Sequence, residues 1–445
     1  MTPFARRLPV STQRGLLAFA LLSLLLAACA AAIQGSTTPA PTTTFTAAET
    51  SQPTATSIPP TPTPSGPLTL RVWWPDALTL PSSDSAALLL DEQFSDFQSA
   101  ASDVRVEVRL KKADSFGGIF ETLRSGSAVA PDSLPDVTLL RRDELIEAVR
   151  LGLIQPIQGQ IASAILGSLV PTALELGRFD GVLYGLTYAV DVRLIAYRPV
   201  TLTGSFATFE AVLADRQPFV FPAGITQGIS DVLLVQYLSA GGRISDLLDG
   251  RPKAEPLRIV FNFYAQAATE GIITPAVLDY AESSAYLPNL SGGSLDAAVV
   301  TSRQYLDLRS GSISLDPAPI PLAAGDPSST LDGWMWVIVT RDPDRQVEAA
   351  RLIEWMMEID RQGVYTEQIH WLPSRQAALA AWEQTPFTAL AAALMNNAVI
   401  APAEDSAPAT FRALQNALAA VISGQQTADQ AVADVLAQLA PSAPG

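Results

Sequence analysis

Val104-Arg105-Val106-Glu107-Val108-Arg109-Leu110 alternates apolar and charged side chains without a break. A period of two puts every valine on one face of an extended strand, whereas a helix would scatter them around its circumference. Toward the N-terminus, residues 85–100 place Leu88, Leu89, Phe94 and Phe97 at helical spacing. Before them Leu68-Thr69-Leu70-Arg71-Val72-Trp73-Trp74 is a second β-run, closed by Pro75. Toward the C-terminus the pattern predicts a helix around 119–125, a buried strand over 134–140 and a helix over about 143–151. A further helical stretch is expected near 161–176. The order βαβαβα with short connections predicts an α/β protein built on an open, mostly parallel sheet. Ligands of such sheets sit beyond the carboxyl ends of the strands. That rule marks Trp73, Trp74 and Asp76 after the first strand, and Arg141, Arg142 and Asp143 after the third.

The N-terminus reads as an export signal. Arg6, Arg7 and Arg14 precede an apolar run over 16–28 that falls well short of the ~20 residues needed to span a bilayer. The run ends in Leu26-Ala27-Ala28-Cys29, which resembles the bacterial lipobox, where the cysteine is acylated and becomes the first residue of the mature chain. Cys29 is the only cysteine, so no disulfide forms within the chain. Residues 30–67 are rich in Thr, Pro, Ser and Ala and almost uncharged; they cannot bury enough apolar area to order themselves, and repeated proline keeps them extended. The expectation is a signal peptide over 1–28 and an acylated Cys29 with a disordered tether over 29–67. The folded body then stands on the extracytoplasmic face of the cell membrane.

The 445-residue chain carries a net charge of −16, and the first 28 residues hold three arginines and no acid. Removing them makes the chain more acidic still. Such a balance excludes nucleic acid as a partner, since that needs basic patches to displace counterions, and gives no electrostatic hold on anionic lipid. His370 is the only histidine, which rules out a His-rich metal site and leaves a Ser-His-Asp triad just one candidate. There is no phosphate-binding Gly-x-x-x-x-Gly-Lys-Ser loop and no Gly-x-Ser-x-Gly elbow. No cofactor or metal is expected. Paired carboxylates remain open, so a glycosidase-like exported enzyme stands as the alternative to a binding protein.

Further along, Gly177-Arg178-Phe179-Asp180-Gly181-Val182-Leu183-Tyr184-Gly185-Leu186-Thr187-Tyr188-Ala189-Val190-Asp191 leads into Leu194-Ile195-Ala196-Tyr197-Arg198. This resembles the family 1 extracellular solute-binding proteins, the maltose-binding-protein-like group, in which Gly-x-x-Tyr-Gly-Leu-Pro precedes a strand ending in Tyr-Asn. Thr187 replaces the usual proline and Arg198 the asparagine. Other landmarks follow in order: Leu134-Pro135-Asp136-Val137, Gly152-Leu153-Ile154-Gln155-Pro156-Ile157, Leu295-Asp296-Ala297-Ala298-Val299-Val300, Gly333-Trp334-Met335-Trp336-Val337 and Trp371-Leu372-Pro373-Ser374-Arg375. Each is weak alone; together they span nearly the whole body.

The resemblance implies a two-lobe periplasmic-binding-protein type II fold with a ligand cleft between the lobes. Lobe one would hold 68–187 and 332–368, lobe two 188–331 and 369–440, with a tail over 441–445. It also implies a monomer that captures a small solute, most readily a mono- or oligosaccharide, and delivers it to the permease subunits of an ABC importer. A polyamine or other cation is the alternative ligand, and a surface receptor without transport the alternative role. Five of the seven tryptophans fall near expected crossings or strand ends: Trp73, Trp74, Trp334, Trp336 and Trp371. Their rings suit stacking on sugars. Tyr188 and Asp191 would line the first crossing, and Arg303 and Tyr305 would face ligand from lobe two. With Asp76, Arg141 and Asp143 these form the expected ligand-binding set.

Overall fold

A computed structural model describes residues 66–79, 84–113, 117–311 and 313–440. The expected signal peptide, Cys29, nearly all of the tether and the 441–445 tail lie outside the described residues.

Ten strands form among the described residues: β1 Leu68–Pro75, β2 Val104–Lys111, β3 Val137–Leu140, β4 Arg178–Phe179, β5 Val182–Leu183, β6 Gly185–Tyr197, β7 Ala297–Thr301, β8 Asp316–Ala318, β9 Leu331–Ile338 and β10 Leu372–Pro373. The main sheet runs β10-β6-β9-β3-β1-β2, with β7 and β8 added to the far end of β6. The parallel part is the βαβαβ start, where β1 pairs with β2 and β3 in parallel. Strands contributed by later segments pair antiparallel, so the sheet as a whole is mixed.

The strand β6 organises the molecule. It is 13 residues long and buried over most of its length, which its β-branched and aromatic content favours. It passes through the 187/188 position and changes partners further on: Gly185 to Val192 pairs with β9, and Arg193 to Tyr197 with β7 and β8. Two bodies of structure therefore share one strand.

Helices cover β1, β3 and β9 on both faces. Trp74, Phe94, Phe97, Trp336 and Tyr365 pack on one side; Trp73, Ile119, Leu123, Leu145 and Met335 pack on the other. The second of these cores continues along β6 to Val300, Tyr305 and Leu315. A separate core, built from residues between 195 and 435, gathers Phe221, Phe261, Tyr264, Phe411 and Leu418. We call the β1–β3 side the N-terminal half and the β7–β8 side the C-terminal half.

The expected helix near 161–176 is two short ones, Ser163–Leu166 and Pro171–Leu176. Pro171 opens the second, and its ring and missing N–H prevent a continuous helix through that point.

Candidate functional site

The chain leaves β3 at Leu140, and Arg141 leads into the helix Arg142–Arg150, its N–H donating to the Glu144 carboxylate at 3.0 Å. This turn stands at the carboxyl end of a parallel strand, and a cleft of about 470 Å³ opens beside it. Arg141, Arg142 and Asp143 line one side. The loop 225–228, Asp231, Glu282 and Glu404 of the C-terminal half line the other, and Arg193, Thr330 and Asp332 lie where the halves join. A neighbouring depression of about 800 Å³ shares Asp143, the 225–228 loop and Glu404, and extends past Phe179 to Arg412 and Asn416.

The lining is a charge network. Arg193 Nε meets Asp231 Oδ2 at 2.9 Å, both side chains being mostly buried, and Arg141 pairs with Asp332. Burial works against the Arg193 charge, but Asp231, Asp191 and Asp332 outweigh it, so its guanidinium stays above its ordinary pKa. Arg142 differs. Its Nη1 donates to the Glu175 and Leu176 carbonyls at 3.1 and 2.6 Å, at the end of the later helix Pro171–Leu176. Burial lowers its pKa, and the Asp143, Glu175 and Asp332 charges offset this only in part. Asp191, on β6, accepts from Ser302 Oγ at 2.5 Å and from the Arg303 N–H at 3.2 Å.

A second polar group joins the halves elsewhere. Arg303 Nη1 donates to the Ala77 carbonyl at 2.8 Å and its guanidinium lies 5.1 Å from the centre of the Trp371 ring. Trp371 Nε1 donates to the same carbonyl at 3.2 Å. Asp76 is exposed and its Oδ1 accepts from the Ala113 N–H at 2.8 Å.

The structure thus divides the expected site. Arg141 and Asp143 line the cleft, and Asp191 stands beside Arg193 at its junction. Arg303 and Trp371 meet one another outside it. Trp73, Trp74, Tyr188, Tyr305, Trp334 and Trp336 do not reach it; all six are core residues. Trp73 and Trp74 alternate across β1, but helices cover both faces of the sheet, so each ring is buried in its own core. Trp74 sits edge-on to Phe94, Tyr188, Trp336 and Tyr365 and donates through Nε1 to the Leu78 carbonyl. Burial raises the Tyr188 phenol well above its usual pKa. Tyr305 stacks on Phe387 at 4.9 Å and donates to the Leu315 carbonyl. No aromatic side chain lines the cleft among the described residues, and Phe179 lines the adjoining depression.

Sequence reasoning missed Arg193, Asp231, Asp332, Glu282, Glu404 and the 225–228 loop. Arg193 had a readable signal, a charge inside a mostly apolar strand, and so had Asp332 just before Gly333. The loops had none. No group of three or more His, Cys, Asp or Glu side chains among the described residues is arranged to hold a metal ion. No helix among them is long and apolar enough to cross a membrane.

What such an arrangement does chemically is bind: guanidinium and carboxylate groups on two halves face one solvent-filled space and offer donors and acceptors to a polar solute. Solved structures share the fold. The cyclic alpha-maltosyl-1,6-maltose binding protein from Arthrobacter globiformis matches with a TM-score of 0.66 at 16% identity, covering 84% of this chain and 98% of that one. A cyclo/maltodextrin-binding protein complexed with maltotetraose gives 0.64 at 17%, over 84% and 97%. The sugar-binding protein MalE from Xanthomonas citri gives 0.62 at 20%, over 82% and 95%. No curated protein sequence matches significantly. The family model described as bacterial extracellular solute-binding protein matches residues 92–396, more than half of the chain, and the chain belongs to that family.

Proposed function

We propose that the chain captures a mono- or oligosaccharide in the cleft between Arg141–Asp143 and the 225–228 loop, and hands it to the permease of an ABC importer. The observation that carries the reading is the polar cleft itself, about 470 Å³ and faced by charged groups of both halves. The sugars named for the proteins of like fold support the choice of ligand. Recognition would rest on hydrogen bonds that Arg141, Arg142 and Arg193 donate to hydroxyls and that Asp143 and Asp231 accept from them, rather than on stacked indoles. The two halves would act as lobes closing on the solute: the expected 68–187 with 332–368, to which the turn and strand at 369–373 are added because β10 pairs with the part of β6 that also pairs with β9 and Trp371 packs in the core of the N-terminal half, and 188–331 with the rest of the chain to 440. No covalent step is needed. Cys29 would hold the monomer to the membrane by its lipid, outside the cytoplasm.

A thermal-shift panel of mono- and oligosaccharides tests the reading. A true ligand at a hundred times its dissociation constant stabilises the protein by about 2.7 kcal/mol. Flat melting curves for every sugar would remove the carbohydrate assignment. One observation favours a second reading: Asp143, Glu282 and Glu404 are exposed acids lining the same cleft. Spermidine and putrescine therefore belong in the panel, and a shift with them alone would replace the sugar by a cation.

A further inference from the structure

The polar contacts that Arg303 and Asp307 make are not explained by ligand capture. Both lie on the helix Ser302–Ser310, one turn apart, in the C-terminal half. Arg303 reaches the Ala77 carbonyl just after β1, and covers the ring of Trp371, where the chain turns from the helix Ile359–Gln368 into β10. Asp307 Oδ1 lies 2.6 Å from His370 Nδ1. His370 holds a left-handed backbone, φ 59°, a conformation that a non-glycine residue adopts only at a cost. Trp371 Nε1 donates to the Ala77 carbonyl that Arg303 also uses, so the two receiving segments of the N-terminal half are tied to each other. None of Ala77, Arg303, Asp307, His370 and Trp371 lines the 470 Å³ cleft.

We infer that Arg303 and Asp307 form a clasp that holds the two halves together in the absence of ligand. Arg303 and Asp307 stand 4.0 Å apart, so each helps to orient the other toward its partner. The Arg303 backbone N–H is held by Asp191 on β6, which fixes the root of the clasp to the strand shared by both halves. Because the clasp stays outside the cleft, it favours the closed arrangement without occupying ligand space. A solute then meets a partly closed cleft, and its binding energy is not all consumed in closing it. Arg303 and Asp307 are positioning residues in this scheme: they set affinity without touching the solute. The inference rests on the reading that the halves move as lobes.

The test is a distance distribution on the full chain without ligand. In a Cys29→Ser background, spin labels at Glu92→Cys and Glu210→Cys report the separation of the halves by pulsed electron paramagnetic resonance; both sites are exposed, one in each half. With the clasp intact a short-distance population dominates. Arg303→Ala with Asp307→Ala shifts the closed-to-open ratio by about tenfold or more toward the open form. Identical distributions with and without the substitutions overturn the clasp, as does a wild-type chain found only in the long-distance form. If the double variant does not fold, Arg303→Met, which keeps the apolar stem and removes the donors that reach the Ala77 carbonyl, is measured instead, and the same two outcomes decide. No ligand enters the measurement, so it stands apart from the sugar panel: stabilisation by a sugar with unmoved distances would leave the proposed function and remove the clasp.

Discussion

Asp191 is 8% exposed, and its neighbours account for a carboxylate kept there. Its Oδ1 takes hydrogen bonds from the Ser302 hydroxyl and the Arg303 amide, and its charge supports the nearby Arg193 guanidinium. Asp191→Ala leaves those donors without an acceptor in a buried place, a loss of about 1–3 kcal/mol. Asp191→Asn keeps an acceptor oxygen and should lose less. Denaturant unfolding of the three proteins checks this, and equal stabilities would mean that water replaces the carboxylate. Asp191 was expected at the site because the resemblance puts it in the first crossing, and it is also a charge interrupting a mostly apolar strand. The same signal was present at Arg193, two residues on, and went unused because the resemblance drew attention to aromatic rings. Those rings illustrate the opposite error. Tryptophan pairs with sugars and fills cores equally well, and only the presence of helices over both faces of β1 decides between these roles.

At the scale of elements, the close approach of Gly177 to Gly185 shapes the entry into β6. The Tyr184 and Gly185 N–H groups both donate to the Gly177 carbonyl, at 2.9 and 3.1 Å, and between them β4 and β5 form a small hairpin. A Cβ on Gly177 would stand 1.9 Å from the Gly185 carbonyl oxygen, a backbone atom that cannot swing aside. Gly177→Ala should therefore cost about 1–3 kcal/mol, the usual range for overpacking, with the upper part expected because backbone must move. Gly152→Ala serves as a contrast: its φ is positive but nothing lies within 4 Å of the added methyl, so only local strain of about 1 kcal/mol is at stake. Melting both variants gives the comparison, and a larger loss at Gly152 would contradict the close-approach argument. Elements with a readable local pattern were legible: β1, β2, β3 and the helices Asp84–Ala100 and Arg142–Arg150 lie within a few residues of expectation, while β9 was marked only as a landmark of the resemblance. The cleft loops at 225–228 and 400–404 were not, because loop side chains obey no period and their meeting depends on how distant segments fold back.

For the whole molecule the decisive feature is that one strand serves two bodies. Arg193 stands where β6 changes partners. Its Nε is paired with Asp231 at the start of the helix Asp231–Ser239, and its backbone N–H donates to Ser329 Oγ at 2.6 Å, in the segment leading to β9. The Arg193–Asp231 pair thus ties the shared strand to the C-terminal half while also facing the cleft. A strut and a ligand contact make different demands on the same pair. Each single alanine substitution strands a mostly buried charge, so each should destabilise by about 1–3 kcal/mol, and the double variant by less than their sum. If the pair also holds solute, both single variants should lose about a hundredfold in affinity, since two or so charge-assisted hydrogen bonds are worth about that much. Unfolding curves and calorimetric titration with the ligand that the thermal panel identifies separate the cases. Coupled stability with unchanged affinity would make the pair purely structural and move recognition toward Arg141, Arg142 and Asp143; additive stabilities with lost affinity would mean that solute, not the partner side chain, is what each group is placed to meet.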